Sequence, residues 1–337
     1  MWFINREEEL KRLKEGLLRG ESFVLTAPRR FGKTTLIKRV FEELRDAYKV
    51  FYIDLMPYSG DEEALMEYML EVFYKGMGLA GTVKKMVGGI SLRARVVFEE
   101  LGIEIDLSGK KSSPLVRMSK VLEIPQIISE KENRRVVVAY DEFGELYKAQ
   151  ELVKLFRSVI QHHKGVSYIF SGSQESIMEK VFLSKDGAFF RFGTLVELGA
   201  LNLGEVLKFA ENTLSLLPHA ITFLQWLEGH PYYTSRYLQK LNTGKDALES
   251  FEELLSEEMN YVELLVEKAK VTKHAIEVLR AIARGENPYK KLNIKSQMVT
   301  KVLEKLRLNG LLRRRERGKY EITDPILKGY LSGELNP

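Results

Sequence analysis

The sequence is 337 residues long, 45% apolar and 29% charged, too long for one small core and too apolar to be disordered, so two or three domains are expected. It carries no cysteine and five histidines, which excludes disulfides, thiolate metal sites and thiol catalysis and leaves little material for a structural zinc site. The N-terminal Met1-Trp2-Phe3-Ile4-Asn5-Arg6-Glu7 lacks a basic-then-apolar signal pattern, and no apolar run reaches the ~18 residues of a membrane helix, so a cytoplasmic address is the expectation.

Formal net charge is +5, but from Val271 to Pro337 there are 15 Lys and Arg against 7 Asp and Glu. That segment alone carries +8 and residues 1–270 carry −3, which points to an anionic partner for the C-terminal fifth, nucleic acid above all. Residues 6–18 read as a helix through Leu10, Leu13, Leu17 and Leu18. Ser22 to Thr26 is a short buried-type strand that runs into Ala27-Pro28-Arg29-Arg30-Phe31-Gly32-Lys33-Thr34-Thr35 and then a helix through Leu36, Val40, Phe41 and Leu44. Further strands are expected at Val50–Asp54, Arg135–Glu142 and Ser167–Ser173, and their alternation with helical segments indicates a mainly parallel α/β sheet.

Between the second and third strands lies an insertion over 60–130, helical early and irregular or hairpin-like from Gly88 to Gly109. Residues 203–268 are acidic and helical by pattern, interrupted by Gly229-His230-Pro231. After them come a helix (275–284), a short element (288–292), a helix (296–308), Gly310 and a basic hairpin-like stretch (311–322), the order of a winged helix-turn-helix.

The strongest chemical signal is A-P-R-R-F-G-K-T at 27–34, the Walker A spacing with alanine in place of the first glycine. Gly32 lets backbone N–H groups approach phosphates, the following helix N-terminus favours their charge, Lys33 reaches the β and γ oxygens, and the Thr34 hydroxyl can ligate Mg²⁺. Pro28, Arg29, Arg30, Phe31, Gly32, Lys33, Thr34 and Thr35 are therefore the expected ATP-binding loop. An apolar strand ending in Asp141-Glu142 has the Walker B form: Asp141 for Mg²⁺, with Thr34, and Glu142 to orient or deprotonate the attacking water. A polar residue ending the fourth strand, Ser173 with Ser171 next, can sense the γ-phosphate, and Arg191 can act as an arginine finger in cis or from a neighbour. The His162-His163 pair reads as exposed rather than as a metal site, since adjacent helical positions face different ways.

In the C-terminal segment, Val299, Val302, Leu303 and Leu306 pack one face of the 296–308 helix and leave Gln297, Thr300, Lys301 and Lys305 outward, with Arg313, Arg314, Arg315, Arg317 and Lys319 on the wing. This face suits DNA through its phosphates. A winged helix serves equally as a protein-docking or autoinhibitory module.

Phe3-Ile4-Asn5-Arg6-Glu7-Glu8-Glu9-Leu10, A-P-R-R-F-G-K-T-T-L, V-V-V-A-Y-D-E-F, F-S-G-S and Gly229-His230-Pro231-Tyr232, in that order, resemble the archaeal ATPase family of the STAND class, relatives of AAA+ ATPases. The resemblance spans nearly the whole chain. It implies an ASCE-type P-loop parallel sheet of order 5-1-4-3-2 (1–202), a helical lid (203–270) and a C-terminal winged helix-turn-helix (271–337). It also implies that Phe3, Ile4 and Arg6, with His230 and Pro231, border the adenine. The family's usual Gly-Arg after the fourth strand is not reproduced: Phe192 falls where the arginine would stand, with Arg191 one place early. The expected function is an ATP-binding, Mg²⁺-dependent hydrolytic switch whose nucleotide state repositions the basic module. The alternative is a DNA-binding regulator or protein-docking scaffold in which ATP is a structural ligand with negligible turnover.

Overall fold

The computed structural model describes residues 4, 6–58, 60–78, 113–213, 219–316 and 318–335. Helix α1 (Glu7–Arg19) leads into β1 (Phe23–Thr26), α2 (Lys33–Leu44) and β2 (Lys49–Asp54). Helices α3 (Glu62–Gly76) and α4 (Pro114–Glu132) precede β3 (Val136–Asp141), α5 (Gln150–Ile160), β4 (Val166–Gly172), the short α6 (Glu175–Met178) and β5 (Thr194–Glu197). The hairpin-like piece expected between Gly88 and Gly109 lies outside the described residues.

The five strands form one parallel sheet in the order β2-β3-β4-β1-β5, the 5-1-4-3-2 arrangement read in the opposite direction. Every residue of β1, β3 and β4 is buried. These strands are continuous apolar runs because helices cover both faces of the sheet. Alternation along β3 divides the two cores. Val136, Val138 and Tyr140 join the cluster under α3, α4 and α5, whereas Val137 and Ala139 join the one under α1 and α2.

Beyond the sheet come α7 (Leu203–Thr213), α8 (Ala220–Trp226), α9 (Pro231–Leu241) and the long α10 (Ala247–Lys270). They are followed by α11 (Ala275–Ala283), α12 (Pro288–Lys291), α13 (Ser296–Leu308), the antiparallel hairpin β6 (Leu312–Glu316) and β7 (Lys319–Ile322), and α14 (Pro325–Ser332). One apolar cluster runs through all of these, from Leu224, Tyr237 and Leu254 to Val278, Leu303 and Ile326, so the lid helices and the C-terminal elements share a core. Helix starts are set by side-chain caps: Asp61, Ser113, Asp246 and Asp324 each accept a hydrogen bond from the backbone N–H three residues on. The C-terminal elements also rest on the carboxyl end of the sheet, where α13 packs against α6 and Arg307 lies 3.4 Å from Glu179.

Candidate nucleotide site

Parallel strands present their carboxyl ends on one edge, and in open α/β sheets that edge is where ligands bind. Here β1 opens into the loop at 27–32 and α2 begins at Lys33, with Gly32 as its N-cap in the left-handed region at φ 87°. A β-carbon is disfavoured at such a φ, which is why glycine stands there. Arg30 is also left-handed, at φ 65°. Its L side chain makes that conformation costly, at about 1–3 kcal/mol. Ala27, at the family's first glycine position, is buried and outside the positive-φ region, so it needs no glycine.

Lys33 is 5% exposed, and its Nζ donates to the carbonyls of Ala27 (3.0 Å) and Pro28 (3.2 Å), its own loop. Burial pushes the Lys33 ammonium below the ordinary lysine value, opposed by the Glu142 and Asp141 carboxylates. Thr34 Oγ1 donates to Asp141 Oδ2 at 2.6 Å, and Tyr52 Oη donates to the same oxygen at 2.6 Å. Ser171 Oγ donates to the other oxygen, Oδ1, which also accepts from the Glu142 amide at 3.1 Å. Asp141 is thus 2% exposed and fixed from four sides.

Glu142 follows in a left-handed conformation at φ 54°, which turns its side chain out of the strand. Its Oε2 accepts from Ser173 twice, from the amide at 3.1 Å and from Oγ at 2.8 Å. Thr34 and Asp141 thus bring a hydroxyl and a carboxylate to one point beside the start of α2, hard oxygen donors of the kind Mg²⁺ takes. The residues fit both the nucleotide phosphates and the ion.

A family model described as an ATPase domain predominantly from Archaea matches residues 3–232. The chain belongs to that family of archaeal ATPases. No curated protein matches the sequence. Among solved structures, a Walker-type ATPase of Pyrococcus abyssi is similar at TM-score 0.71 and 18% identity, over 98% of this chain and 96% of that one. The ORC2 protein of Aeropyrum pernix, in ADPNP and ADP complexes, is similar at TM-score 0.55 and 15% identity, over 97% and 92% of the two chains. At these identities the likeness is one of fold.

In this ATPase the other expected residues fall in three places. Ile4 is buried in the lid core and Arg6 donates to the Gly199 carbonyl (2.6 Å) and to Glu9 (2.7 Å), which fastens the N-terminal segment to the exit of β5; Phe3 lies outside the described residues. His230 is stacked on Tyr233 (4.3 Å) and meets the Phe31 ring edge-on (4.9 Å), with Pro231 opening α9. Its Nδ1 has no hydrogen-bond partner among the described residues, and burial, with the Arg30 charge nearby, pushes its pKa down to about 3, so the ring is neutral. Thr35 is half-buried on the first turn of α2 and Arg29 is exposed.

Arg191, by contrast, is exposed at φ 57°, with its guanidinium 5.2 Å from the neighbouring Phe190 ring. No described contact brings it to the P-loop cluster. Phe192, which stands at the family's arginine position, packs into the core under Arg157. The expectation that the histidine pair is exposed holds for His162 only. The His163 side chain is 2% exposed, bonded to Tyr168 Oη (2.5 Å) and 3.3 Å from Glu123, because the turn after α5 folds it back under β4.

Three residues at the site were not singled out from the sequence. Tyr52 and Asp54 lie on β2, whose register sets Asp54 opposite Asp141. Burial raises the Asp54 carboxyl, opposed by the Met56 amide and reinforced by Asp141 and Glu142. The signal available in the sequence was the polar end of a buried strand, Tyr52-Ile53-Asp54, beside the Walker B strand. Glu258 is the third; it lies on α10 and pairs with Arg30 at 2.5 Å.

Two hollows flank the loop. One, about 300 Å³, is lined by Arg29, Glu145, Ser173, Gln174 and Lys268 and closed by Leu308, Asn309 and Gly310 of the C-terminal region. The other, about 670 Å³, lies between Phe31, His230 and the residues Arg284, Arg313, Arg315 and Lys328. On the β6–β7 hairpin, Arg313 and Arg315 both pair with Glu321 at 2.5 Å, so they share the face of the hairpin that lines this hollow. Arg314 is on the other face and exposed, as are Gln297, Thr300, Lys301 and Lys305 on α13; Arg317 lies outside the described residues.

Proposed function

We propose that this ATPase hydrolyses ATP with Mg²⁺ and uses its nucleotide state to set the position of the C-terminal module, 271–337, read as a winged helix. The observation that carries the reading is the joined cluster Thr34, Asp141, Glu142 and Ser173 beside the P-loop, closed on one side by the Leu308–Gly310 turn of that module. ATP binding is supported by the family and by the ADPNP and ADP complexes of the ORC2 neighbour.

In this reading the loop amides, the start of α2 and Lys33 hold the phosphates, with Lys33 exchanging its two loop carbonyls for phosphate oxygens. Mg²⁺, held by Thr34 and Asp141, would supply charge neutralisation at the β and γ phosphates. Tyr52 and Ser171 fix the rotamer of Asp141. Glu142, released from Ser173, orients the attacking water and takes its proton, while Ser173 becomes free to report the γ-phosphate. Arg191, exposed and away from the cluster, is in this reading a finger offered to a neighbouring copy, or in cis after a movement of its loop.

We also propose an anionic partner, DNA, for the exposed face of Gln297, Thr300, Lys301, Lys305 and Arg314. Arg313 and Arg315 face the nucleotide side instead, which favours a docking role for that side of the wing. Small-angle scattering and limited proteolysis of Glu142→Gln in the apo, ADP and Mg²⁺-ATP states test the switch. The ATP state is expected to differ in radius and in cleavage near 271–275. Identical profiles in all three states would favour the scaffold reading, with ATP as a structural ligand.

A further inference from the structure

The phosphate loop sends one side chain away from the phosphates. Arg30 Nη1 lies 2.5 Å from Glu258 Oε2, and its guanidinium carbon sits 3.7 Å from the centre of the Tyr261 ring and 4.5 Å from that of Tyr232. Glu258 is 5% exposed, and its second oxygen accepts from Tyr232 Oη at 3.0 Å. A buried carboxylate needs its cation, and a planar guanidinium can stack on rings and hydrogen-bond in its own plane at once. Tyr232 belongs to α9, and Glu258 and Tyr261 to α10, so the cage is built by the lid and filled by the P-loop.

The cage also leads outward. Tyr233 Oη lies 3.4 Å from Arg30 Nη1 and donates to Asp324 Oδ2 at 2.6 Å. Asp324 Oδ1 accepts the Leu327 amide at 3.0 Å and so caps α14. Residue 30 of the loop is thereby two side-chain contacts from the first turn of a C-terminal helix.

We propose that Arg30 is a positioning residue for nucleotide binding: its seat in the lid cage holds the left-handed turn ahead of Gly32, and Tyr233 carries the state of that turn to α14 through Asp324. The second half rests on the switch reading above; the first does not. Arg30 works through the loop backbone, whose N–H groups meet the phosphates.

Four single variants of the full chain separate these steps, with binding of fluorescent ADP and hydrogen exchange at 325–332 as readouts. Arg30→Gly keeps the positive φ without strain but empties the cage. The proposal expects its ADP affinity to fall on the order of tenfold, with Arg30→Lys in between because an ammonium lacks the planar fork. A turn that needed only its φ would bind ADP as the wild type does, and that result overturns the proposal. Should Arg30→Gly fail to fold, Glu258→Gln reads the same claim with Arg30 in place, and unchanged affinity there overturns it equally. Tyr233→Phe is expected to bind ADP within about twofold of wild type and to lose the nucleotide-dependent change in exchange at 325–332. A wild-type α14 indifferent to nucleotide sinks the switch and the coupling step, while the affinities of Arg30→Gly and Glu258→Gln still decide the positioning claim.

Discussion

His230 is neutral in the native state because burial, with Arg30 beside it, takes its pKa down to about 3, against an ordinary value of 6.5. The unfolded chain binds a proton between those two values and the native chain does not. Stability from this group is therefore complete above about pH 6.5 and declines as pH falls, at about 1.4 kcal/mol per pH unit. Burial lowers His163 too, so it acts in the same direction. Denaturant melts at pH 7.5 and pH 5.0 are expected to show a loss of about 2 kcal/mol from His230 alone, much reduced in His230→Gln; equal pH dependence in both proteins would contradict the assignment. At Asp141, removing one of the two donors on Oδ2 with Tyr52→Phe is expected to raise the Mg²⁺ concentration for half-maximal nucleotide-dependent signal on the order of tenfold, with Mg²⁺-free nucleotide binding unchanged. That Lys33, Thr34, Asp141 and Glu142 gather at one edge of the sheet was legible because the two motifs set each at a fixed place relative to a strand end. Tyr52 and Glu258 were not, since their partners arrive only when separate elements pack, and neither tyrosine nor glutamate marks such a role by itself.

At the scale of elements, strands and helices whose burial repeats with a clear period were readable to within one or two residues, as β3 (Val136–Asp141) and α13 (Ser296–Leu308) illustrate. Among the elements not named from the residues, two show why. The edge strand β5 has only four residues, with Val196 alone buried among them, too short and too exposed for a pattern. Helix α14 hides behind a proline at its first position, and its Asp324-Pro325 start reads as a cap only once the cluster it joins is known. The Gly229-His230-Pro231 interruption has a definite geometry. Gly229 sits at φ 67°, and a β-carbon there would lie 2.2 Å from the Leu201 carbonyl oxygen, where the chain leaving β5 pairs with the lid. Gly229→Ala is expected to cost about 1–3 kcal/mol and to lower the melting temperature, since both the φ and the contact are backbone constraints. A variant that melts with the wild type would mean the turn re-forms freely.

Across the whole molecule, the division into a core, a lid and a basic module describes sequence order better than it describes packing. Leu254 and Val262 of α10, Val278 of α11 and Ile326 of α14 belong to one cluster. Each fully buried aliphatic side chain contributes about 1.5–3 kcal/mol, so cutting at residue 270 would strip the lid of a large part of its core. A chain ending there is expected to show an expanded, dye-binding lid or to aggregate, whereas a cooperative melt near that of the full chain would mean that the lid stands alone. No helix among the described residues is long and apolar enough to cross a membrane. The partner of the basic face was the least legible feature, because exposed charge states a sign without naming a ligand.

The central claim is that Lys33 and Glu142 divide nucleotide binding and turnover between them, and Mg²⁺-dependent phosphate release by wild type, Lys33→Ala and Glu142→Gln, with ATP affinity measured on each, tests it most directly. Turnover is expected in the wild type, loss of both binding and turnover in Lys33→Ala, and binding without turnover in Glu142→Gln. Undiminished phosphate release from Glu142→Gln would contradict it.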